Sequence, residues 1–353
     1  MVIQIDGAHG EGGGQIVRTA MALSVLTGRA FEIHSIRSGR AKPGLKAQHL
    51  TALHALKQIA GVSTNPVKIG SQHLRFTPGV VQAGQYAIDI GTAGSISLLL
   101  QALLLPLLFA KETVQLDIKG GTCGKWQTPY DYMKQVLLPY LSPFGTIRMD
   151  LLKHGYYPKG GGHVTVRIDP LYRHWKDCKS LPPFQLEGVP TLQKIEGISH
   201  ASSALEPARV AERQAREAEQ ILRNLGCPVH VGYHYHETFS PGSQINLWAI
   251  HQLPEHQLEV RLGANALGKK GKPAEAVAGA AVELLMKELS AKAPVDEFLA
   301  DQLVPFLALC PGSIMEVPFR SEHLLSNIHV TEKFLPVRFE WFEKRKVRVV
   351  SAQ

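Results

Sequence analysis

Cysteine is scarce. The 353 residues hold four, Cys123, Cys178, Cys227 and Cys310, far apart and with no C-x-x-C pair. Neither a zinc site nor a dithiol motif is indicated, and unpaired thiols suit a reducing compartment. Long apolar runs are also missing. The longest, Ile96 to Ala110, is broken by Gln101 and Pro106; it is too short for a comfortable membrane span and reads as a buried helix. The start, Met-Val-Ile-Gln-Ile-Asp, has no charged-then-apolar leader pattern. The expectation is a cytoplasmic protein with no membrane partner. Three nucleotide signatures are absent as well: the Gly-Lys-Ser/Thr of a Walker loop, the G-x-G-x-x-G of dinucleotide folds and the Lys-x-Asp-Gly of nucleotidyl ligases.

What is present is a basic, globular chain. Apolar residues make up 44%, enough for a sizeable core, and the length suggests about two domains. The formal net charge is +8 and the pI about 9.2, which suits a polyanionic partner such as nucleic acid or a nucleotide.

Read in order, one grammar recurs. A strand pattern at Val2–Ile5 runs into Asp6-Gly7-Ala8-His9-Gly10-Glu11-Gly12-Gly13-Gly14-Gln15, and apolar residues then follow helical spacing from Ile16 to Leu26. A glycine loop between strand and helix brings backbone N–H groups to a phosphate. Glu11 inside it suggests a bound metal, and Arg18 on the helix suggests phosphate. Arg37-Ser38-Gly39-Arg40-Ala41-Lys42-Pro43-Gly44-Leu45-Lys46 packs four arginines and lysines into one loop, with Gln48 and His49 opening the next helix; so many cations together make a phosphate-binding surface. A second round of strands and helices follows from Tyr86 and closes near Ile168. A third reads from Gln257, through helices at 274–289 and 296–309, to the final strands near Trp341 and Val350. Between them, roughly 183–256, lies a segment with its own strands and a charged helix. The expected boundaries are therefore 1–183 for two core repeats, 184–256 for a small inserted α/β domain and 257–353 for the third repeat, an α+β chain of repeated units of about 80 residues.

His323 stands out within Ser321-Glu322-His323-Leu324-Leu325-Ser326-Asn327-Ile328, after the strand pattern Ile314–Val317. At a strand-to-helix turn, the helix's positive end disfavours imidazolium, so the ring tends to stay neutral and nucleophilic. The bland alternative is a capping or core-edge histidine.

Six stretches carry a family likeness: Asp6–Gln15, Ser38–Leu45, Gln48–Leu50, His154-Gly-Tyr-Tyr-Pro-Lys-Gly-Gly-Gly162, Ala300-Asp-Gln-Leu303 and His323–Ile328. In this order and spacing the chain resembles RNA 3′-terminal phosphate cyclases over essentially its full length. The resemblance implies three βαβαββ repeats similar to the C-terminal domain of translation initiation factor 3, with an inserted domain of thioredoxin-like topology. It implies ATP as co-substrate, Mg²⁺ or Mn²⁺, and an RNA with a 3′-phosphate as partner, with a homodimer as the candidate assembly. It makes His323 the nucleophile that takes AMP and Glu11 the metal carboxylate. Arg18, Arg37, Arg40, Gln48 and His49 become the polar groups around the phosphates and the RNA end. Gln101, Pro129, Tyr132, Phe298, Asp301 and Gln302 fall where the family places its nucleotide pocket. The family often has tyrosine where this chain has Phe298, so adenine stacking survives while a hydroxyl contact is lost. Two other readings share parts of this pattern: a non-catalytic RNA-binding scaffold, against which His323 speaks, and an enolpyruvyl-transferase-like enzyme, which could use the same arginines.

Overall fold

The computed structural model describes residues 2–10, 12–125 and 127–352. Glu11, the expected metal carboxylate, lies outside the described residues. Three sheets share one plan. The first runs Ile3–Asp6, Phe31–His34, Leu74–Thr77, Ser63–Thr64; the second Gly84–Asp89, Val114–Gly120, Gly162–Pro170, Gly145–Lys153; the third Gln185–Leu186, Ile314–Glu316, Lys346–Ser351, Val337–Phe342. In each, the neighbours are the first, second, fourth and third strands in chain order. The first pair is parallel and the other two antiparallel. The strands alternate as half-buried strands should: Ile3 and Ile5 face the core while Gln4 and Asp6 face out.

Each sheet lays its helices on the buried face. Gly14–Thr27 packs against Ile96–Leu107 and Glu322–Phe334, and Glu297–Leu307 packs against Glu322–Phe334. Side-chain caps set three of these starts. Ser95, Asp296 and Ser321 accept hydrogen bonds from the amides of Leu98, Leu299 and Leu324 at 3.0, 2.8 and 3.1 Å. The fourth, Gly14–Thr27, begins after Gly13 and has no side-chain cap.

The fourth sheet differs. Its order is Val229–His236, Thr191–Ser202, Ser243–Leu253, Leu258–Leu267, with the first strand in chain order between the second and third. Ile195, Leu247, Ala249 and Ala264 pack under the helices Val210–Leu222 and Ala274–Ala291, burying Ala215, Val277, Ala281 and Leu285. The alternate residues Trp248 and Ile250 turn the other way and join the main core. The boundary expected at 256/257 therefore falls inside this sheet's last hairpin, where Leu253 pairs with Leu258 and Gln244 with Leu267. The helix expected to belong to the third repeat covers this sheet, and the first strand of the third core sheet is the two-residue Gln185–Leu186. We propose that the inserted unit extends from Thr191 to Ala291. Alternation marks a strand but not its partner, which is why sequence alone does not assign Leu258–Leu267 to this sheet. Among the described residues no helix is long and apolar enough to cross a membrane.

Candidate active site

The glycine loop is clamped onto the start of the His323 helix. The rings of His9 and His329 stack at 3.8 Å. Gly10 has φ +57, and a Cβ there would stand 2.8 Å from Oγ of Ser326 and 3.1 Å from Oε2 of Glu322, so this turn needs glycine. Two residues into the uncapped helix, Gln15 reaches the histidine. Nδ1 of His323 hydrogen-bonds Oε1 of Gln15, and Nε2 of Gln15 donates to Oδ2 of Asp301 at 3.2 Å. With Asp301 Oδ2 accepting from that amide, the carbonyl of Gln15 is the group that meets the ring. A carbonyl can only accept, so with the amide placed this way Nδ1 of His323 donates to Gln15.

Asn327, one turn on from His323, ties this arrangement to two other helices. Its Nδ2 donates to the carbonyl of Asp301 at 2.6 Å and its Oδ1 accepts from the hydroxyl of Thr19 at 2.7 Å. Burial pushes the Asp301 carboxyl up to about 8, against the hydrogen bond from Gln15 and the charge of Arg18.

Beside it runs a polar chain through three core helices. Arg18 Nε donates to Gln101 Oε1 at 3.2 Å, Gln101 Nε2 to Gln302 Oε1 at 3.2 Å, and Gln302 Nε2 to the Phe298 carbonyl at 2.9 Å. Each of Arg18, Gln101 and Gln302 sits in the second turn of its helix. The three helices thus bring second-turn side chains to one seam. Phe298 lies at the edge of this seam, 46% exposed, with its ring edge-on to buried Tyr132 at 6.4 Å. The Tyr132 hydroxyl donates to Asp296 at 2.6 Å.

His49 completes an anion cradle. Its Nδ1 accepts from the Lys46 amide at 3.0 Å. Burial, followed by the charges of Arg18, Arg37 and Lys46, pulls its pKa down to about 3, so the ring is neutral and the proton sits on Nε2. That Nε2–H is buried without an acceptor among the described residues. A Cβ on Gly14 would come within 2.2 Å of it and 3.3 Å of Arg18 Nη1. An unsatisfied buried donor, a guanidinium and an uncapped helix start thus converge where only glycine fits, a donor set that suits a phosphate group. Arg40 Nη2 and His323 Cε1 both lie 3.8 Å from where a Cβ on Gly13 would stand, so the nucleophilic ring and the basic loop meet at this cradle.

The model of the family described as RNA 3′-terminal phosphate cyclase matches residues 9–341. The proteins named RNA 3′-terminal phosphate cyclase from Pyrococcus furiosus and Methanosarcina mazei are 44% and 42% identical to the chain, each over 99% of both sequences. The one from Methanopyrus kandleri is 42% identical over 96% of this chain and 95% of its own. The chain belongs to the RNA 3′-terminal phosphate cyclase family.

Of the residues the cyclase resemblance singled out, His323, Arg18, His49, Gln101, Phe298, Asp301, Gln302 and Tyr132 lie along the cradle and the seam just described. Pro129 is buried at the start of the turn Tyr130–Tyr132, where it sets up Tyr132. Gln48 faces a separate, larger cleft with Ser95, Lys125, Tyr156, Lys269 and Lys272. Arg37 turns inward: its Nη1 donates to the carbonyls of Lys42 at 2.8 Å and Gly44 at 3.2 Å, holding the basic loop in shape. Sequence reading passed over Gln15 as a site residue. The signal was faint: a polar residue directly after the glycines, where a helix face usually meets solvent. Neither of the two clusters of three metal-capable side chains among the described residues includes His323.

Proposed function

We propose that this cyclase-family chain converts an RNA 3′-terminal phosphate to a 2′,3′-cyclic phosphodiester at the expense of ATP, through AMP carried on His323. The hydrogen bond between Nδ1 of His323 and Gln15 supports this reading most, because it orients the ring beside a phosphate cradle.

Two anionic phosphates react poorly with each other, and a covalent intermediate divides the barrier. The Nε2 lone pair attacks the α-phosphorus, and the bond to the bridging oxygen breaks to release pyrophosphate. An oxygen of the RNA 3′-phosphate then displaces the histidine, returning the lone pair to Nε2 and leaving an RNA–AMP anhydride. The 2′-hydroxyl gives up its proton, closes on the 3′-phosphorus and expels AMP, helped by the effective molarity of an intramolecular step. Arg18, the His49 Nε2–H and the first amides of the helix Gly14–Thr27 hold the triphosphate. Phe298 offers its face to adenine. The cleft with Gln48, Lys125, Lys269 and Lys272 is assigned to the RNA end. A divalent ion on a triphosphate needs hard oxygen donors; Glu11 of the loop sequence would supply one, and Glu322 borders the same loop at Gly10. These residues fit Mg²⁺ or Mn²⁺, which when bound offsets the charge of the phosphates.

The direct test offers ATP with a 3′-phosphorylated or a 3′-hydroxyl oligonucleotide. Repeated turnover to AMP and pyrophosphate is expected only with the former, with an end that resists phosphatase. Turnover independent of the 3′-phosphate refutes the proposal, as does RNA binding without ATP consumption.

Two substitutions probe the pocket. Gly14→Ala puts a methyl group between His49 and Arg18. Losing charge-assisted contacts worth about 1.5–3 kcal/mol weakens ATP binding roughly 10- to 100-fold. Gly279→Ala, where nothing lies within 4 Å of the added Cβ, is the calorimetric control. Phe298→Ala removes a stacking face worth roughly 1 kcal/mol and raises the ATP Kd about fivefold, whereas Phe298→Tyr leaves it nearly unchanged.

A further inference from the structure

Where the inserted unit meets the core, three histidines from distant parts of the chain converge. His154 comes from the loop after Gly145–Lys153, His200 from the strand Thr191–Ser202, and His236 from the end of Val229–His236. Each offers a ring nitrogen, and the three nitrogens lie within 4.8 Å of one another. None of them takes part in the proposed adenylate chemistry. We propose that they form a binding site for one divalent cation of the zinc class, which fastens the inserted unit to the core.

The outer nitrogens are arranged as a metal site requires. His154 is 1% exposed; its Nδ1 lies 3.1 Å from Oγ1 of Thr122, while its Nε2 is buried with no hydrogen-bond partner among the described residues. His200 Nδ1 lies 2.9 Å from His236 Nε2. Its own Nε2 faces Asp131 Oδ2 at 3.3 Å, without good hydrogen-bond geometry. Asp131 is held in turn by Asn246 Nδ2 at 2.8 Å. A metal-bound histidine characteristically gives its other N–H to a carboxylate or another oxygen acceptor; His200 with Asp131 and His154 with Thr122 both match. Zn–N bonds of about 2.0–2.1 Å in a tetrahedral site place the nitrogens about 3.3 Å apart. The His200–His236 pair needs to open by only a few tenths of an ångström.

Without a cation the arrangement is poorly satisfied. His200 and His236 can share one proton between facing nitrogens, but His154 Nε2 stays buried and unpaired. Burial also opposes imidazolium: the His154 pKa is well below the ordinary histidine value and that of His236 falls to about 4. Neutral imidazoles are what a borderline cation binds, and an all-nitrogen set disfavours Mg²⁺ and Ca²⁺. Sequence spacing did not reveal the site because its ligands are 46 and 36 positions apart, and the pairing of the strands that carry His200 and His236 is not written in the sequence.

The full-length chain is stripped with a chelator, dialysed and titrated with Zn²⁺ alone, with Co²⁺ as a spectroscopic probe. One tight equivalent per chain is expected, with a tetrahedral Co²⁺ spectrum and a melting temperature that rises with free zinc. His236→Gln and His200→Asn should each lose the tight equivalent and the thermal shift. His73→Gln, which breaks the other metal-capable group (Glu32, His34 and His73), should keep both. Circular dichroism of the stripped proteins shows whether a variant still folds, and the second variant keeps the test decisive if the first does not. A wild-type chain that binds zinc no better than either folded variant overturns the proposal. So does loss of the equivalent in His73→Gln alone.

Discussion

Alanine at position 323 leaves no protein–AMP adduct. Wild type incubated with ATP labelled in the α-phosphate retains acid-labile label; His323→Ala retains none, and turnover falls by about 10⁴-fold or more, as expected when a covalent nucleophile is removed. The fold should not suffer. His323 is exposed in the first turn of its helix, and the cap that starts this helix is Ser321, not the histidine. Stability should stay within about 0.5 kcal/mol of wild type. A lysine adduct would be acid-labile too, so chemistry of the label does not separate the two nucleophiles, whereas the substitution does. A variant that labels as well as wild type removes His323 from the mechanism.

The sequence carried the local features further than the long-range ones. His323, Phe298, Asp301 and Gln302 could be found because short stretches around them match a family motif, and the structure gathers them at one seam. Gln101 read as a break in an apolar helix and, by the resemblance, as part of the nucleotide pocket. Its place in the middle of a chain from Arg18 to Gln302 shows only in the packing of three helices. Gln15 was missed because its meaning depends on partners 286 and 308 positions away. Arg37 has the right charge in the right loop, yet its guanidinium holds backbone carbonyls; residue type does not tell where a long side chain ends. The strand Leu258–Leu267 could be recognised as a strand, but its pairing with Ser243–Leu253 could not. The two-residue Gln185–Leu186 is too short to show any period.

The second large effect is expected one step from the nucleophile. Gln15→Met keeps the size of the side chain but removes the acceptor that holds His323 Nδ1–H. The ring can then turn, or carry its proton on Nε2, and the share of productive nucleophile falls. Single-turnover adenylylation at saturating ATP should slow by about 10²-fold, the scale on which supporting partners of a reactive imidazole act. Asp301→Asn should slow it less, about tenfold. An asparagine can offer either its oxygen or its nitrogen to Gln15, and when the nitrogen faces the amide, Gln15 turns its own nitrogen toward the ring. The wrong tautomer of His323 follows. The decisive measurement is the double variant. If Asp301 acts on the rate through Gln15, Asp301→Asn costs nothing further once position 15 is methionine, and the two losses are far from additive. Full multiplication of the losses would mean that Asp301 acts on the nucleotide directly. The orientation of His323 would then need another source.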